Sequence, residues 1–208
     1  LSITDAQKNT TTYEYDQLDR LIKITNPLGD SYQFFYDNFG NLIRQRDPEG
    51  KNTHYIYNVL NQLQKIIYPN LSFASYTFDS IGNITQVNDT TGTTKYTYDK
   101  LNRIKSIVYP DGFSLYYSYD SNGNRSSLEV SGFGKILYEY DKLNRLIKIT
   151  LPDKRTIEFS YDELSRRTQI TYPNGAITTY SYDKLGRLKG LVNRDKYKRI
   201  LSKFTYTY

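Results

Sequence analysis

The stretch YDKLNRL occupies residues 140–146, and close variants of it begin at Tyr15, Tyr98, Tyr161 and Tyr182. We take the aromatic residue that opens each copy as an anchor. The chain of 208 residues then has ten anchors: Tyr15, Tyr36, Tyr57, Phe78, Tyr98, Tyr119, Tyr140, Tyr161, Tyr182 and Tyr208. Successive anchors lie 21 residues apart, except for one step of 20 and a last step of 26. A fixed period of this length indicates a repeat architecture.

Several columns of the repeat keep their chemistry. Another aromatic residue stands two positions before every anchor, and the column nine residues after the anchor is apolar except at Gln45. All six prolines lie twelve residues after an anchor. Nine of the ten anchors are followed by another residue. This residue is Asn58 in one copy and an aspartate in the other eight: Asp16, Asp37, Asp79, Asp99, Asp120, Asp141, Asp162 and Asp183.

Each period is typical of a β-hairpin. Residues Leu146–Thr150 have the β-branched and apolar composition of a strand, and Ser31–Tyr36 alternates as a second strand. Tyr109–Gly112 has the Pro-Asp-Gly chemistry of a turn between two strands, and Asp37–Asn41 that of a turn between hairpins. The sequence therefore predicts an all-β fold, an array of about nine antiparallel hairpins over residues 1–208, with loops at the proline column and almost no helix.

Two features interrupt the regular pattern. The chain begins and ends inside a repeat, so we expect it to be an excerpt of a longer protein. The last complete copy carries about five extra residues, Asn193–Lys198, which are basic and off-pattern. We interpret this insertion as a longer exposed loop.

Composition excludes several kinds of site. Without cysteine the chain can form neither disulfides nor thiolate metal sites, and no stretch approaches the about 18 apolar residues of a membrane span. His54 is the single histidine and is predicted on the polar face of a strand. We therefore expect no enzymatic activity and no cofactor. We interpret the formal charge of +6 as spread along the chain, and we expect no nucleic-acid partner.

The columns together resemble the Rhs, or YD, repeat. The Tyr-Asp-x-x-Gly/Asn-Arg-Leu unit, the Pro-Asp/Glu-Gly turn and the following Tyr-x-Tyr-Asp carry this resemblance over essentially the whole chain. Members of the family include bacterial Rhs toxins, the C component of Tc toxins with its partner, and teneurins. The resemblance implies a curved sheet that spirals into a hollow shell, and in the bacterial toxins the shell encloses a toxic polypeptide. It transfers no catalytic residue to this chain.

Three columns allow a ligand-binding and a structural interpretation. The aspartates could bind calcium, or they could accept backbone N–H bonds in the turn after each anchor. The tyrosine columns could stack on sugars or nucleic acid, or on each other between hairpins. An arginine column could bind an anionic partner or pair with the aspartates: Arg20, Arg103, Arg145, Arg166 and Arg187. We favour the structural interpretation in each case, and Tyr68, Tyr109, Phe113 and Tyr172 beside turns are the better ligand candidates.

These observations lead to two functional hypotheses. The first is a structural wall segment of a secreted or surface-delivered Rhs-type protein of bacterial toxin delivery. Its partners would be an enclosed polypeptide cargo or neighbouring shell segments. The second is a cell-surface adhesion module that binds glycans or proteins. Because repeat arrays need capping elements, we also expect the isolated segment to self-associate through strand edges near Thr4 and Tyr206 or through its aromatic face.

Overall fold

The computed structural model describes residues 1–208, which form twenty β-strands and no helix. The chain divides into two compact units. Unit 1 contains Leu1–Thr97 and Tyr109–Asp111. Its strands are β1 (Ser2–Thr4), β2 (Thr10–Tyr15), β3 (Leu21–Thr25), β4 (Ser31–Tyr36), β5 (Leu42–Arg46), β6 (Asn52–Tyr57), β7 (Leu63–Ile67), β8 (Phe73–Phe78), β9 (Ile84–Asp89) and β10 (Gly92–Tyr98), of which the last residue falls in the other unit.

Unit 2 contains Tyr98–Val108 and Gly112–Tyr208. Its strands are β11 (Ile104–Val108), β12 (Ser114–Tyr119), β13 (Arg125–Val130), β14 (Gly134–Tyr140), β15 (Leu146–Thr150), β16 (Thr156–Tyr161), β17 (Arg167–Thr171), β18 (Ile177–Tyr182), β19 (Leu188–Arg194) and β20 (Ile200–Thr205). No helix of the structure is long and apolar enough to span a membrane.

Within each unit every strand pairs antiparallel with the strands that precede and follow it in sequence. The predicted all-β array of hairpins is therefore confirmed. All six prolines lie in turns, as the proline column predicts. Turns after the anchors, which we call anchor turns, lie at one end of the strands. Turns at the proline column, which we call proline-column turns, lie at the other end.

Most turns of both kinds share one backbone geometry. In the anchor turn of β4 and β5, the N–H of Gly40 donates to the carbonyl of Asp37, and the N–H of Asp37 donates to the carbonyl of Asn41. Gly40 has a φ of 87°. This arrangement is a type I turn followed by a left-handed residue, which joins two strands by three loop residues. The fourth position after an anchor therefore requires positive φ.

A β-bulge follows the anchor turns and is a feature that the sequence analysis missed. Phe35 pairs with Arg44, whereas the adjacent Tyr36 pairs with Leu42, so Ile43 is one extra residue on β5. The same shift occurs beside Tyr15, Tyr57, Phe78, Tyr119, Tyr140, Tyr161 and Tyr182. Because one residue is left over, strict two-residue alternation does not continue through the hairpin.

The interpretation of Asn193–Lys198 as a long off-pattern loop is wrong. Strand β19 extends to Arg194, and the chain then makes a compact turn over Asp195–Arg199 into β20. Lys198 has the positive φ of 66°, and Asp195 accepts backbone N–H bonds from Tyr197 and Arg199. The segment thus repeats the Asp-x-x-x-Arg pattern of the anchor turns with Arg194 in place of the tyrosine. The aspartate and arginine four residues apart were visible in the sequence.

In each unit the strands form a single layer, so side chains on both faces remain accessible. Ala74 and Ile170 are the only buried apolar residues, and no large side chain is fully buried. Across the strands, the aromatic residue two positions before the anchor pairs with the apolar column in seven copies, as Tyr138 pairs with Ile149 and Phe159 with Ile170. Phe34 pairs with Gln45 instead. Stability therefore comes from rows of half-buried cross-strand pairs and not from a closed core.

The charge is not spread evenly, contrary to our expectation from the sequence. Unit 1 has eight Lys or Arg and eleven Asp or Glu residues, which gives a formal net charge of −3. Unit 2 has twenty Lys or Arg and eleven Asp or Glu residues, which gives +9. The modest total of +6 therefore conceals an acidic unit and a strongly basic one.

Candidate functional site

The aspartate after each anchor closes its turn. Oδ1 of Asp141 accepts the backbone N–H of Leu143 at 2.9 Å and that of Arg145 at 3.0 Å. Corresponding pairs of bonds reach Asp16, Asp37, Asp79, Asp99, Asp120, Asp162 and Asp183, and Oδ1 of Asn58 accepts the same two bonds. The side chain thus satisfies backbone donors that the turn itself leaves unpaired.

The second carboxylate oxygen binds the residue four positions further on. In the copies with arginine there, Nε donates to Oδ2 at 2.6–2.7 Å, in the pairs Arg20–Asp16, Arg103–Asp99, Arg145–Asp141, Arg166–Asp162 and Arg187–Asp183. In three other copies an asparagine amide donates instead, from Asn41, Asn83 and Asn124. The copy with Asn58 pairs it with Gln62 at 2.8 Å, a neutral counterpart of the ion pair.

These bonds favour the ionised carboxylates. The hydrogen bond from the Arg103 side chain does most to lower the pKa of Asp99, and the bond from the Asn41 amide does most to lower the pKa of Asp37. For Asp16 and Asp141, the backbone N–H four residues later is the largest cause of the lowered pKa. Each carboxylate thus forms its hydrogen bonds within its own turn. No group of three or more Asp, Glu or His residues is arranged to hold a metal ion.

The arginine also reaches the next repeat. The guanidinium of Arg145 lies 4.9 Å from the ring centroid of Tyr161, and its Nη1 donates to the carbonyl of Asp162 at 3.1 Å. Equivalent cation–π contacts join Arg20 to Tyr36, Arg103 to Tyr119, Arg166 to Tyr182 and Arg187 to Tyr208. One side chain therefore binds the aspartate of its own turn and the anchor of the following one.

The anchor tyrosine completes this contact. The hydroxyl of Tyr161 donates to the carbonyl of Leu146, fifteen residues earlier, at 2.8 Å. Tyr36, Tyr57, Tyr119, Tyr140 and Tyr182 make the same bond to the carbonyl fifteen residues before them. Tyr15 is exposed, and Phe78 has no hydroxyl to donate. The predicted repeat positions thus meet their neighbours through an arginine and a carbonyl, an arrangement the sequence analysis did not foresee.

A second missed feature is a row of apolar side chains at the tips of the anchor turns. The third position after the anchor is apolar in eight of nine copies, and those side chains are 66–81% exposed. We call this row the apolar ridge. In unit 1 it consists of Leu18, Phe39, Leu60 and Ile81, and in unit 2 of Leu101, Leu143, Leu164 and Leu185. The column was visible in the sequence, but a turn position gives no signal of its exposure.

The remaining candidates are dispersed. His54 is exposed, opposite Arg44 on one neighbouring strand and Ile67 on the other. The predicted polar face is not found, because His54 lines a shallow groove with Phe35, Ile43 and Ile56. The turn-side aromatics Tyr68, Tyr109, Phe113 and Tyr172 are partly exposed. An open groove in unit 1 is lined by apolar residues that include Phe39, Ile43, Ile56 and Val59. None of these brings a nucleophile and a base together.

Comparison with known families agrees with the repeat geometry. The model described as RHS Repeat matches residues 1–31, 36–71, 78–114, 140–177 and 168–197, which is well over half of the chain. The chain belongs to the RHS repeat family. The family model leaves 115–139 unmatched, yet Asp120 in this segment closes its turn in the same way as the other RHS repeats. No curated protein matches the sequence.

Solved structures share the RHS repeat fold at low sequence identity. A crystal structure of TcdB2-TccC3-Cdc42 superposes with a TM-score of 0.63 and 14% identity over 96% of this chain. A Photorhabdus luminescens Tc holotoxin pore gives a TM-score of 0.64 at 14% identity over 96%, and a crystal structure of TcdB2-TccC3 gives 0.63 at 14% over the whole chain. The RHS repeats described here span 13–14% of the length of those chains.

Proposed function

We propose that residues 1–208 are one continuous array of RHS repeats and form a curved wall segment of a shell that encloses a polypeptide. The observation that carries this proposal is the single layer of strands, which has no closed core and exposes both faces. A wall needs two accessible faces, one for the contents and one for the surroundings. Membership of the RHS repeat family and the fold shared with TcdB2-TccC3 support this role.

The apolar ridge supports contact with neighbouring segments of the wall. Contiguous exposed apolar side chains are uncommon on isolated soluble proteins and mark contact surfaces. In unit 1 four such side chains follow one another along successive anchor turns, and in unit 2 Leu143, Leu164 and Leu185 do so, after Leu101 and an interruption at Asn122. A neighbouring row of turns could cover them. We propose that the protein is secreted or delivered to a cell surface, as the Tc toxin fold and the shell role suggest.

Protease protection tests the proposal in the natural protein that contains this chain. An enclosed polypeptide should resist a protease that degrades it once the shell is opened. Substituting Arg145→Ala and Tyr161→Phe removes one contact between repeats, so the enclosed part should become sensitive at lower temperature. Arg155→Ala is the matched control, because Arg155 binds only the exposed Asp153. A natural protein with no protected polypeptide would contradict the shell role.

Self-association of the isolated chain is part of the same proposal. Strands β1 and β20 each pair with one neighbour, which leaves backbone donors and acceptors near Thr4 and Tyr206 open to another chain. Light scattering of the purified chain should therefore show species larger than a monomer. A monomer at high concentration would refute this part of the proposal.

The partly exposed aromatics beside the proline-column turns favour a second candidate function, recognition of glycans. Tyr68 and Tyr172 lie at the start of two such turns, where their rings could stack on a sugar. Binding to an immobilised glycan array, lost in the Tyr68→Ala and Tyr172→Ala variant, would support it. Absence of binding by the unsubstituted chain would exclude it.

A further inference from the structure

The proline-column turns of unit 1 form an acidic edge. Their charged residues are Asp5, Asp30, Asp47, Glu49, Asp89 and Asp111 against only two lysines, Lys8 and Lys51. Glu49 pairs with Lys51, whereas Asp30 and Asp89 form no ion pair. We call this set the acidic edge. Its formal net charge is −4, and the guanidinium of Arg46 from β5, which lies against Gly50, offsets one of these charges.

The corresponding turns of unit 2 form a basic edge. Their charged residues are Lys154, Arg155, Lys196, Lys198 and Arg199 against Asp153 and Asp195. The two aspartates bind Arg155 and Arg199 at 2.6 Å. Lys154, Lys196 and Lys198 form no ion pair, and Lys196 lies over the ring of Tyr197. Three lysines therefore present uncompensated charge to the solvent.

We propose that the basic edge of one copy of the chain binds the acidic edge of a second copy. Both complementary surfaces lie on turns of the same kind. Each has charges of one sign that form no ion pair, namely Asp30 and Asp89 on the acidic edge and Lys154, Lys196 and Lys198 on the basic edge. Opposite charge attracts at contact distance and discriminates against wrong pairings, because like edges repel each other. The inference is independent of the shell role, since it uses only the charges and their positions. It also differs from pairing through strand edges, which charge at the turns would hardly affect.

A second copy explains both edges, whereas a polyanion explains only one. A nucleic acid or an anionic lipid surface would be attracted by Lys154, Lys196 and Lys198 but repelled by the acidic edge of unit 1. Exposed charges are screened within about 10 Å at 0.1 M salt. Association through the two edges should therefore be strong at low salt and weak at high salt.

Charge exchange between the edges provides the test. The variant Lys154→Glu with Lys196→Glu changes the formal net charge of the basic edge from +3 to −1. The variant Asp30→Lys with Glu49→Lys changes that of the acidic edge from −4 to 0. Each variant alone should associate at least tenfold more weakly than the unsubstituted chain in sedimentation equilibrium at low salt. An equimolar mixture of the two should associate again, because the first variant keeps its acidic edge and the second keeps its basic edge.

The matched control is Lys142→Glu with Lys184→Glu. These lysines lie on the anchor turns of unit 2, at the opposite end of the strands, and the change of net charge is the same. This control should associate much as the unsubstituted chain does. If it weakens association equally, or if the mixture fails to associate, the proposal is wrong. A chain that is monomeric at low salt would also refute the proposal. If Lys154 and Lys196 of that monomer bound heparin or anionic vesicles, the basic edge would have a polyanion as its partner instead of a second copy. Should the double variant not fold, Lys196→Gln alone must still weaken association.

Discussion

At the scale of single residues, the repeat is maintained by a few positions with strict conformational demands. The fourth position after an anchor has positive φ at Asp19, Asn61 and Asn102 as well as at the glycines. Asn and Asp tolerate this conformation better than other residues with a side chain, and glycine tolerates it freely. The column therefore varies in chemistry while its backbone stays constant.

Leu71 violates this preference and gives the first prediction. It has a φ of 65° in the proline-column turn between β7 and β8, and its side chain is exposed. Leu71→Gly should raise the free energy of unfolding by about 0.5–1 kcal/mol, because a left-handed leucine is strained and no contact is lost. Leu60→Gly is the control, since Leu60 is an equally exposed turn residue without positive φ. Chemical denaturation measures both, and equal effects would contradict the strain argument.

The turn aspartates give the second prediction. Asp141→Ala should lower the thermal midpoint, because the N–H groups of Leu143 and Arg145 and the guanidinium of Arg145 lose their acceptor. Asp141→Asn should lower it less, since an amide oxygen can still accept the two backbone bonds, as Asn58 does. Glu163→Ala on the surface serves as the control. A midpoint unchanged in Asp141→Ala would show that the carboxylate does not stabilise the turn.

At the scale of elements, neighbouring hairpins are joined by the arginine and by the anchor hydroxyl. Each hairpin buries little apolar surface, so an isolated one would be marginal and depends on its neighbours. The bond from Tyr161 to the carbonyl of Leu146 and the contact of Arg145 with the Tyr161 ring connect two consecutive repeats. Removing either contact should therefore reduce cooperativity between hairpins.

The hydroxyl is the simplest contact to remove. Tyr161→Phe should lower the free energy of unfolding by about 1 kcal/mol, because the carbonyl of Leu146 loses its donor while the ring stays in place. Tyr116→Phe is the matched control, since Tyr116 lies exposed in β12. Urea denaturation followed by circular dichroism provides the comparison. A loss no greater than that of the control would mean that water replaces the hydroxyl without cost.

At the scale of the whole molecule, many carboxylates act together. Aspartates in the anchor turns have lowered pKa values, caused mainly by the Arg103 side chain for Asp99 and by the Arg145 backbone N–H for Asp141. A carboxylate with a lowered pKa in the folded state stabilises the protein above its unfolded pKa of about 3.9, and this stabilisation is lost as the pH falls through the folded value.

The thermal midpoint should therefore change little between pH 5 and pH 7 and fall steeply below about pH 4. Because the same pattern occurs in eight turns, the fall should be larger than one aspartate could cause. Scanning calorimetry from pH 2 to pH 7 measures it, and Asp141→Asn should reduce the slope slightly. A midpoint independent of pH below 4 would contradict the assignment of lowered pKa values.

The period of 21 residues, the strand and turn positions and the family were determined by the sequence alone. This was possible because the columns at Tyr140, Asp141 and Pro152 reflect local rules of turn and strand chemistry that hold in every copy. The aspartate–arginine spacing also indicated the pairing that the turns show. Local conformational rules require no knowledge of distant residues.

The remaining features depend on which turns and strands become neighbours, and only the tertiary structure decided them. The bulge at Ile43 and the contact of Arg145 with Tyr161 follow from the register between strands, which two-residue alternation does not predict. The separation of charge, by contrast, was present in the sequence, because the two compact units are its two halves apart from Tyr109–Asp111. The structure was needed only to show that the acidic and basic residues of the proline-column turns lie at the same end of their strands.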